Sequence, residues 1–341
     1  MEEEQSELHA VEPPKKKRSE LSVRLITGFV YVFVLIAFFA LKVFISKLFF
    51  DALLLAFCII GTFEMTRAFK DKLHISQRIA VMIFSALVVI AYALSDFIFA
   101  DILRISLPSG SVQDAVGRNY APHITVVAVI AGFSVIFGLL VFAHSKVTLE
   151  STGYALISYI YPTCFIVVLT ACNHLEIYSE LAILFVFSVA PFADSLAYVF
   201  GKLLGKKLPA KMAPNVSPKK TLIGGFGGLL GGAVGAVFVF FVSYGLTLLD
   251  DLIGVPDLGW ELELSAMNIL FFIGLGVLTA AFSQFGDLVE SAIKRKLGIK
   301  DMGKLLPGHG GILDRIDSAL YGGLVVCLVL VLRIMIEALA A

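Results

Sequence analysis

The chain has 341 residues, of which 58% are hydrophobic and 16% charged, with a mean hydropathy of +0.91. Soluble domains carry roughly 25% charged residues, so an ordinary soluble enzyme, a disordered chain and a nucleic-acid binder are excluded. Lys+Arg and Asp+Glu number 27 each, a formal net charge of zero that says little until it is mapped along the chain.

Residues 1–22 read as a disordered cytoplasmic tail, with an acidic start, Pro13-Pro14 and the basic run Lys15 to Arg18. No apolar stretch in residues 1–20 could form the core of a secretory signal. The apolar segment from Leu25 has no convincing small-residue cleavage site after it, and further spans follow. A membrane-crossing helix needs about 20 mainly apolar residues. Nine segments qualify: 25–41, 48–66, 79–99, 123–143, 152–172, 179–201, 222–249, 266–290 and 318–339. Their length and their Leu, Ala and Gly content favour helix over strand. The expected fold is therefore an all-α polytopic membrane protein. Residues 23–172 form an N-terminal set of spans. Residues 173–341 form a C-terminal set that carries the chemistry on loops 202–221 and 291–317.

Lys and Arg accumulate on the cytoplasmic side of membrane proteins. With the N-terminus inside, 22 of the 27 basic residues fall on the inner side and five outside. Counting acids as well, the inner side carries +7 and the outer side −7, so the zero is a cancellation across the bilayer. An odd number of spans predicts the C-terminus outside. The four cysteines lie in or at the edges of apolar runs without Cys-x-x-Cys spacing, and read as small buried hydrophobes. In the seventh span Gly224/Gly228/Gly232 and Gly227/Gly231/Gly235 form two interleaved small-xxx-small series suited to close helix packing. A dimer interface or a backbone phosphate site are the other readings.

Ionisable groups inside spans are costly and mark function by default. Asp194 and Asp287 stand inside the sixth and eighth spans, and Glu64 near the inner end of the second. For the two aspartates, pairing with a nearby Lys or Arg is the structural alternative. Asp96 reads as an interfacial charge toward the outer side. Ser217, Lys219, Lys220 and Thr221 precede the glycine-rich helix, where lysines, hydroxyls and a helix N-terminus suit phosphate. The spacing is not that of a Walker A loop, and an ordinary basic inner loop is the alternative. The last loop sets Lys294, Arg295, Lys300 and Arg315 beside Asp301, Asp314 and Asp317, with His309-Gly310-Gly311 between them. Cations able to hold phosphates thus stand next to carboxylates able to hold Mg²⁺ together with substrate phosphates. His309 is either a turn residue or a catalytic one.

The run Ser291, Lys294-Arg295, Lys300-Asp301, His309-Gly310-Gly311, Asp314-Arg315-Ile316-Asp317 resembles the signature of the phosphatidate cytidylyltransferases, or CDP-diacylglycerol synthases. Asp194-Ser195-x-Ala197-Tyr198 with Gly201, Ser217-Pro218-Lys219-Lys220-Thr221 and Ser283-Gln284-x-Gly286-Asp287 resemble further elements of that family. The likeness covers roughly residues 190–320; the first half resembles the family only in hydropathy and in Phe63-Glu64-Met65. It implies an enzyme of the cell membrane that joins CTP to phosphatidic acid at a cytoplasmic site, forms a homodimer and depends on Mg²⁺, with room for a second metal ion of open identity. It carries the metal-binding role to Asp287 and Asp314, and with them to Asp194. Lys294, Arg315 and His309 join Asp287 and Asp314 as the catalytic set. Phosphate binding falls to Ser217, Lys219, Lys220, Thr221, Lys294, Arg295 and Lys300. A secondary transporter, another nucleotide-using membrane transferase such as a lipid kinase, and a structural membrane scaffold are the rival readings. No inverted pair of broken helices supports the first.

Overall fold

The computed structural model describes residues 20–97, 121–175, 177–253 and 263–340. The tail through residue 19 and the acidic residues Asp257 and Glu261 lie outside these, as does the side chain of Asp96. Among the described residues there are nine helices long and apolar enough to cross a membrane. They are α1 (Glu20–Phe44), α2 (Leu48–Ala68), α3 (Ile75–Phe97), α4 (Ala121–Phe142), α5 (Leu149–Asn173), α6 (Ser179–Leu204), α7 (Leu222–Ile253), α8 (Ala266–Lys296) and α9 (Leu313–Ala340). A short antiparallel hairpin, β1 (Lys211–Ala213) and β2 (Ser217–Thr221), joins α6 to α7. The all-α membrane fold expected from hydropathy is what the chain adopts. In hydrocarbon a helix satisfies its own backbone groups, which is why these apolar runs are helical.

Helix ends depart from the hydropathy edges where polar groups extend them. α5 begins at Leu149 because Thr148 and Ser151 form a reciprocal capping box, with N–H to hydroxyl distances of 3.1 and 3.0 Å. α8 runs on to Lys296, through a polar turn in which Lys294 pairs with Glu290 one turn back. The loop 202–221 is not irregular throughout, since Lys211 pairs with Thr221 and Ala213 with Ser217 across the hairpin.

α2, α3, α4 and α5 pack together, as do α6, α7, α8 and α9, and α9 touches α5 and α2 as well as α6. One hydrophobic core runs through both sets, from Leu54 and Tyr159 to Phe240, Phe272 and Leu313. α1 is the outlying helix, packed on α2 with much of its apolar surface exposed. Helix α7 divides its glycines between two partners. Gly227, Gly231 and Gly235 lie against Phe200, Ala193 and Phe192 of α6. Gly228 and Gly232 lie against Gln284 and Gly276 of α8. A Cβ at Gly231 would stand 2.8 Å from the Ala193 Cα, so only glycine permits this approach. The two small-xxx-small series therefore act within the bundle.

Polar groups gather at the two ends of the bundle. At one end Lys42 pairs with Glu180 (3.0 Å), the Asp51 carboxylate meets His174 (2.8 Å), and Tyr178 donates to Glu337 (2.9 Å). Lys42 is buried, and its ion pair and its bond to Ser179 (2.8 Å) offset the desolvation. The other end holds the hairpin, the end of α8 and the loop before α9.

Candidate active site

The hairpin, α6, α7 and α8 enclose a cavity of about 410 Å³ lined by Asp194, Tyr198, Lys202, Lys219, Lys220 and Gln284, with Gly224 and Gly225 at its wall. Asp194, Tyr198 and Lys202 reach it because they recur at i, i+4 and i+8 on α6. Lys219 and Lys220 come from β2, which runs directly into α7. The Lys220 ammonium donates to the Asp287 carboxylate of α8, whose other oxygen accepts from Ser291 (3.3 Å). Asp287, Lys220, Asp317 and Arg315 are the charged neighbours of Asp194. Asp194 is exposed to the cavity, and Asp287 is 27% exposed, so both carboxylates are reachable by a ligand.

Thr221 lines the cavity, and its hydroxyl also serves the helix that follows. Its Oγ1 accepts from the Gly224 N–H (3.1 Å), which caps α7, and the Leu222 N–H donates to Ala210 (2.9 Å). Two of the first N–H groups of α7 are thus satisfied by protein, and the lysines bring the positive charge for phosphate at this edge. Ser217 stands at the start of β2, opposite Ala213.

A second cluster lies deeper. Lys294 bridges Glu290 (2.6 Å) and Asp314 (2.7 Å), and all three are buried. The other Asp314 oxygen accepts from the backbone N–H groups of Met302 (2.9 Å), Gly303 (3.4 Å) and Gly311 (2.8 Å). Asp314 thus ties the loop between α8 and α9 into place, and in this conformation both its oxygens are engaged. Glu64 of α2 completes the arrangement from across the bundle, accepting from the N–H groups of Ile312 (3.1 Å) and Leu313 (2.9 Å). Gly310 has φ +88°, a conformation that only glycine adopts readily, and it closes the turn that returns the chain to Asp314.

His309 shares a 2.6 Å hydrogen bond through Nδ1 with Thr27 of α1. Partial burial, reinforced by Arg315 and Arg24, holds its pKa below the usual imidazole value, so the ring is neutral at pH 7. Arg295 is exposed and donates to the Ile299 carbonyl (3.1 Å), while Lys300 and Arg315 are exposed. The fold therefore brings Asp194, Lys219, Lys220 and Asp287 to one site, and Lys294 and Asp314 into the loop clamp behind it. His309 sits against α1, with Arg295 and Lys300 on the surface. Sequence reasoning gave no role to Glu290, Lys202 or Thr27. Of these only Glu290 carried a signal, its i, i+4 spacing to Lys294.

Among the described residues no group of three or more Asp, Glu, His or Cys side chains converges as a metal cage. Two reachable carboxylates, Asp194 and Asp287, beside cationic phosphate ligands are the donor set that Mg²⁺ uses when substrate oxygens complete its shell.

These features define a multi-pass membrane protein with a cationic, carboxylate-bearing cavity at one end of its helices. The sequence pattern of the cytidylyltransferase family matches residues 23–333, and the chain belongs to that family. It is similar to the phosphatidate cytidylyltransferases of Staphylococcus haemolyticus (strain JCSC1435), 40% identical over 140 residues, and Staphylococcus aureus (strain COL), 38% identical over 140 residues. It is likewise similar to that of Staphylococcus epidermidis (strain ATCC 12228 / FDA PCI 1200), 40% identical over 139 residues. Each match covers 41% of this chain and 45% of the relative, less than half the length of either.

Proposed function

We propose that the chain transfers CMP from CTP to phosphatidic acid, giving CDP-diacylglycerol and pyrophosphate for phospholipid synthesis. The observation that carries this reading is the Lys220–Asp287 pair beside a cavity that also holds Lys202, Lys219 and Asp194. A phosphate oxygen of phosphatidic acid attacks the α-phosphorus of CTP in line. A new P–O bond forms as the bond to the β-phosphate bridging oxygen breaks, and its electron pair leaves with pyrophosphate. The nucleophile is already anionic, so no strong base is needed, and the protein acts by positioning and charge neutralisation.

Lys219, Lys220 and Lys202 hold the phosphates, and the exposed Arg295, Lys300 and Arg315 add positive charge to the same face. Incoming phosphate draws Lys220 from Asp287, freeing that carboxylate. Asp287 and Asp194 would hold Mg²⁺, which supplies neutralising charge for the phosphates. Asp314 would join them only by giving up a bond to Lys294 or to the loop. Its role in the described conformation is to hold that loop, with Lys294 as its counter-ion. His309, neutral and fixed by Thr27, orients the loop beside the substrates.

The charge asymmetry supports a site on the cytoplasmic face of the cell membrane, an inside N-terminus and an outside C-terminus. A homodimer is the expected assembly. Incubating purified protein with labelled CTP, phosphatidic acid and Mg²⁺ tests the reading. Lipid-extractable CMP product with release of pyrophosphate is expected, and no such product overturns it.

A further inference from the structure

A second cavity, of about 280 Å³, adjoins the first and shares Met212, Gly225 and Gln284 with it. Its chemistry is the opposite. Leu222, Phe226, Leu229, Ala281, Phe285 and Leu288 complete its lining, with no charged side chain. Its one polar side chain, Gln284, donates to the Gly225 carbonyl (3.3 Å) at the junction. Nothing in this groove can hold a nucleotide or a phosphate.

The groove lies between α7 and α8 and opens outward, where Phe226 is 66% and Phe285 54% exposed. Gly225 and Gln284 sit at its headgroup end, beside the lysines; Leu229 and Ala281 lie about one turn deeper on their helices. A side chain at Gly225 would run into the Met212 methyl and come within 3.3 Å of Gln284, so glycine leaves room for both side chains at the junction of the two cavities. Met212 at the same junction is flexible enough to adapt to what passes.

We propose that this groove binds one acyl chain of the anionic lipid substrate while its phosphate occupies the lysine-lined cavity. The inference rests on the proposed reaction and adds where the lipid tail lies and which residues set chain-length preference. A cationic compartment joined to an apolar one matches an anionic headgroup joined to a hydrocarbon chain. CTP has no part that fits the second compartment.

Ala281 is exposed and outside the reacting groups, so Ala281→Trp adds bulk to the deep end of the groove without entering the packed core. The variant is expected to raise KM for dioleoyl phosphatidic acid about tenfold, the equivalent of losing one or two methylene contacts. KM for CTP and for dibutyryl phosphatidic acid stays unchanged. Leu230→Trp, on the exposed surface of α7 but outside the groove, leaves all three unchanged. Equal effects of Ala281→Trp on long and short chains, or none on either, overturn the proposal. A second measurement is independent of turnover. Phosphatidic acid carrying a diazirine in one acyl chain is photolysed on the wild-type protein and adducts are mapped. Adducts on segments 222–229 and 281–288, lost in Ala281→Trp and absent with diazirine-labelled phosphatidylcholine, support the groove. Adducts elsewhere, or equal labelling by phosphatidylcholine, overturn it. A protein that takes these adducts yet makes no lipid-linked CMP overturns the proposed reaction and leaves the groove standing.

Discussion

Glu64 of α2 accepts hydrogen bonds from the backbone N–H groups of Ile312 and Leu313, so a carboxylate about 250 residues upstream caps the start of α9. The N-terminal spans, which carry none of the basic cavity, thereby fix the loop that ends at Asp314. A helix start buried without such a partner would leave donors unsatisfied.

Replacing Glu64 tests this link. Glu64→Ala orphans two buried N–H groups, each worth about 1–3 kcal/mol. We expect a clear fall in Tm and loss of CMP transfer, read by thermal unfolding in detergent and by the labelled-CTP assay. Glu64→Gln keeps one acceptor and should fall between Ala and wild type.

Lys294 and Lys219 separate stability from substrate binding. Lys294→Met removes the counter-ion of the buried Glu290 and Asp314, and breaking such a pair costs about 3–5 kcal/mol. Its Tm should drop sharply. Lys219→Met, on an exposed strand position, should leave Tm unchanged and raise KM for CTP. Asp314→Asn weakens the same buried pair, so Tm and transfer should fall together, and normal transfer at unchanged Tm would remove Asp314 from the loop clamp.

Lys220 and Asp287 should behave as a coupled unit. Each single neutral variant is expected to lower kcat/KM by about 10²-fold, the scale of losing one preorganised electrostatic contact. The double variant should lose less than the product of the two, with a coupling of about 0.5–3 kcal/mol in a double-mutant cycle. Strict additivity would mean that the two act separately.

His309 predicts a pH dependence of stability. Its pKa in the folded chain lies below the ordinary value near 6.5, so the unfolded chain takes up this proton first as pH falls. The contribution of His309 is therefore complete above that value and is lost as pH drops toward the folded one. Tm should decline over that window, and His309→Asn should flatten the decline. Thr27→Val should alter it as well, since Thr27 contacts the ring directly.

The nine spans, the all-α class and the family signature were legible in the residues alone. Hydropathy acts locally: about 20 apolar residues in lipid have no alternative to helix. The signature was legible because its chemistry is crowded into one segment, Ser291 to Asp317. The glycine series of α7 declared close packing, though not that one face meets α6 and the other α8.

What only the tertiary structure decided is which charge faces which. Lys220 and Lys294 look alike in the sequence, as basic residues near conspicuous aspartates. One pairs with Asp287 beside an open cavity, and the other is buried between Glu290 and Asp314. Thr221 reads as a phosphate ligand in the sequence, and only the fold shows that its hydroxyl also caps α7; Glu64 stood out as an ionisable group in a span, and its partners came from α9. Such partners are set by contacts between segments far apart in the chain, and Coulomb energy depends on distance and burial in space. Residue types and their spacing do not encode either quantity across nine helices.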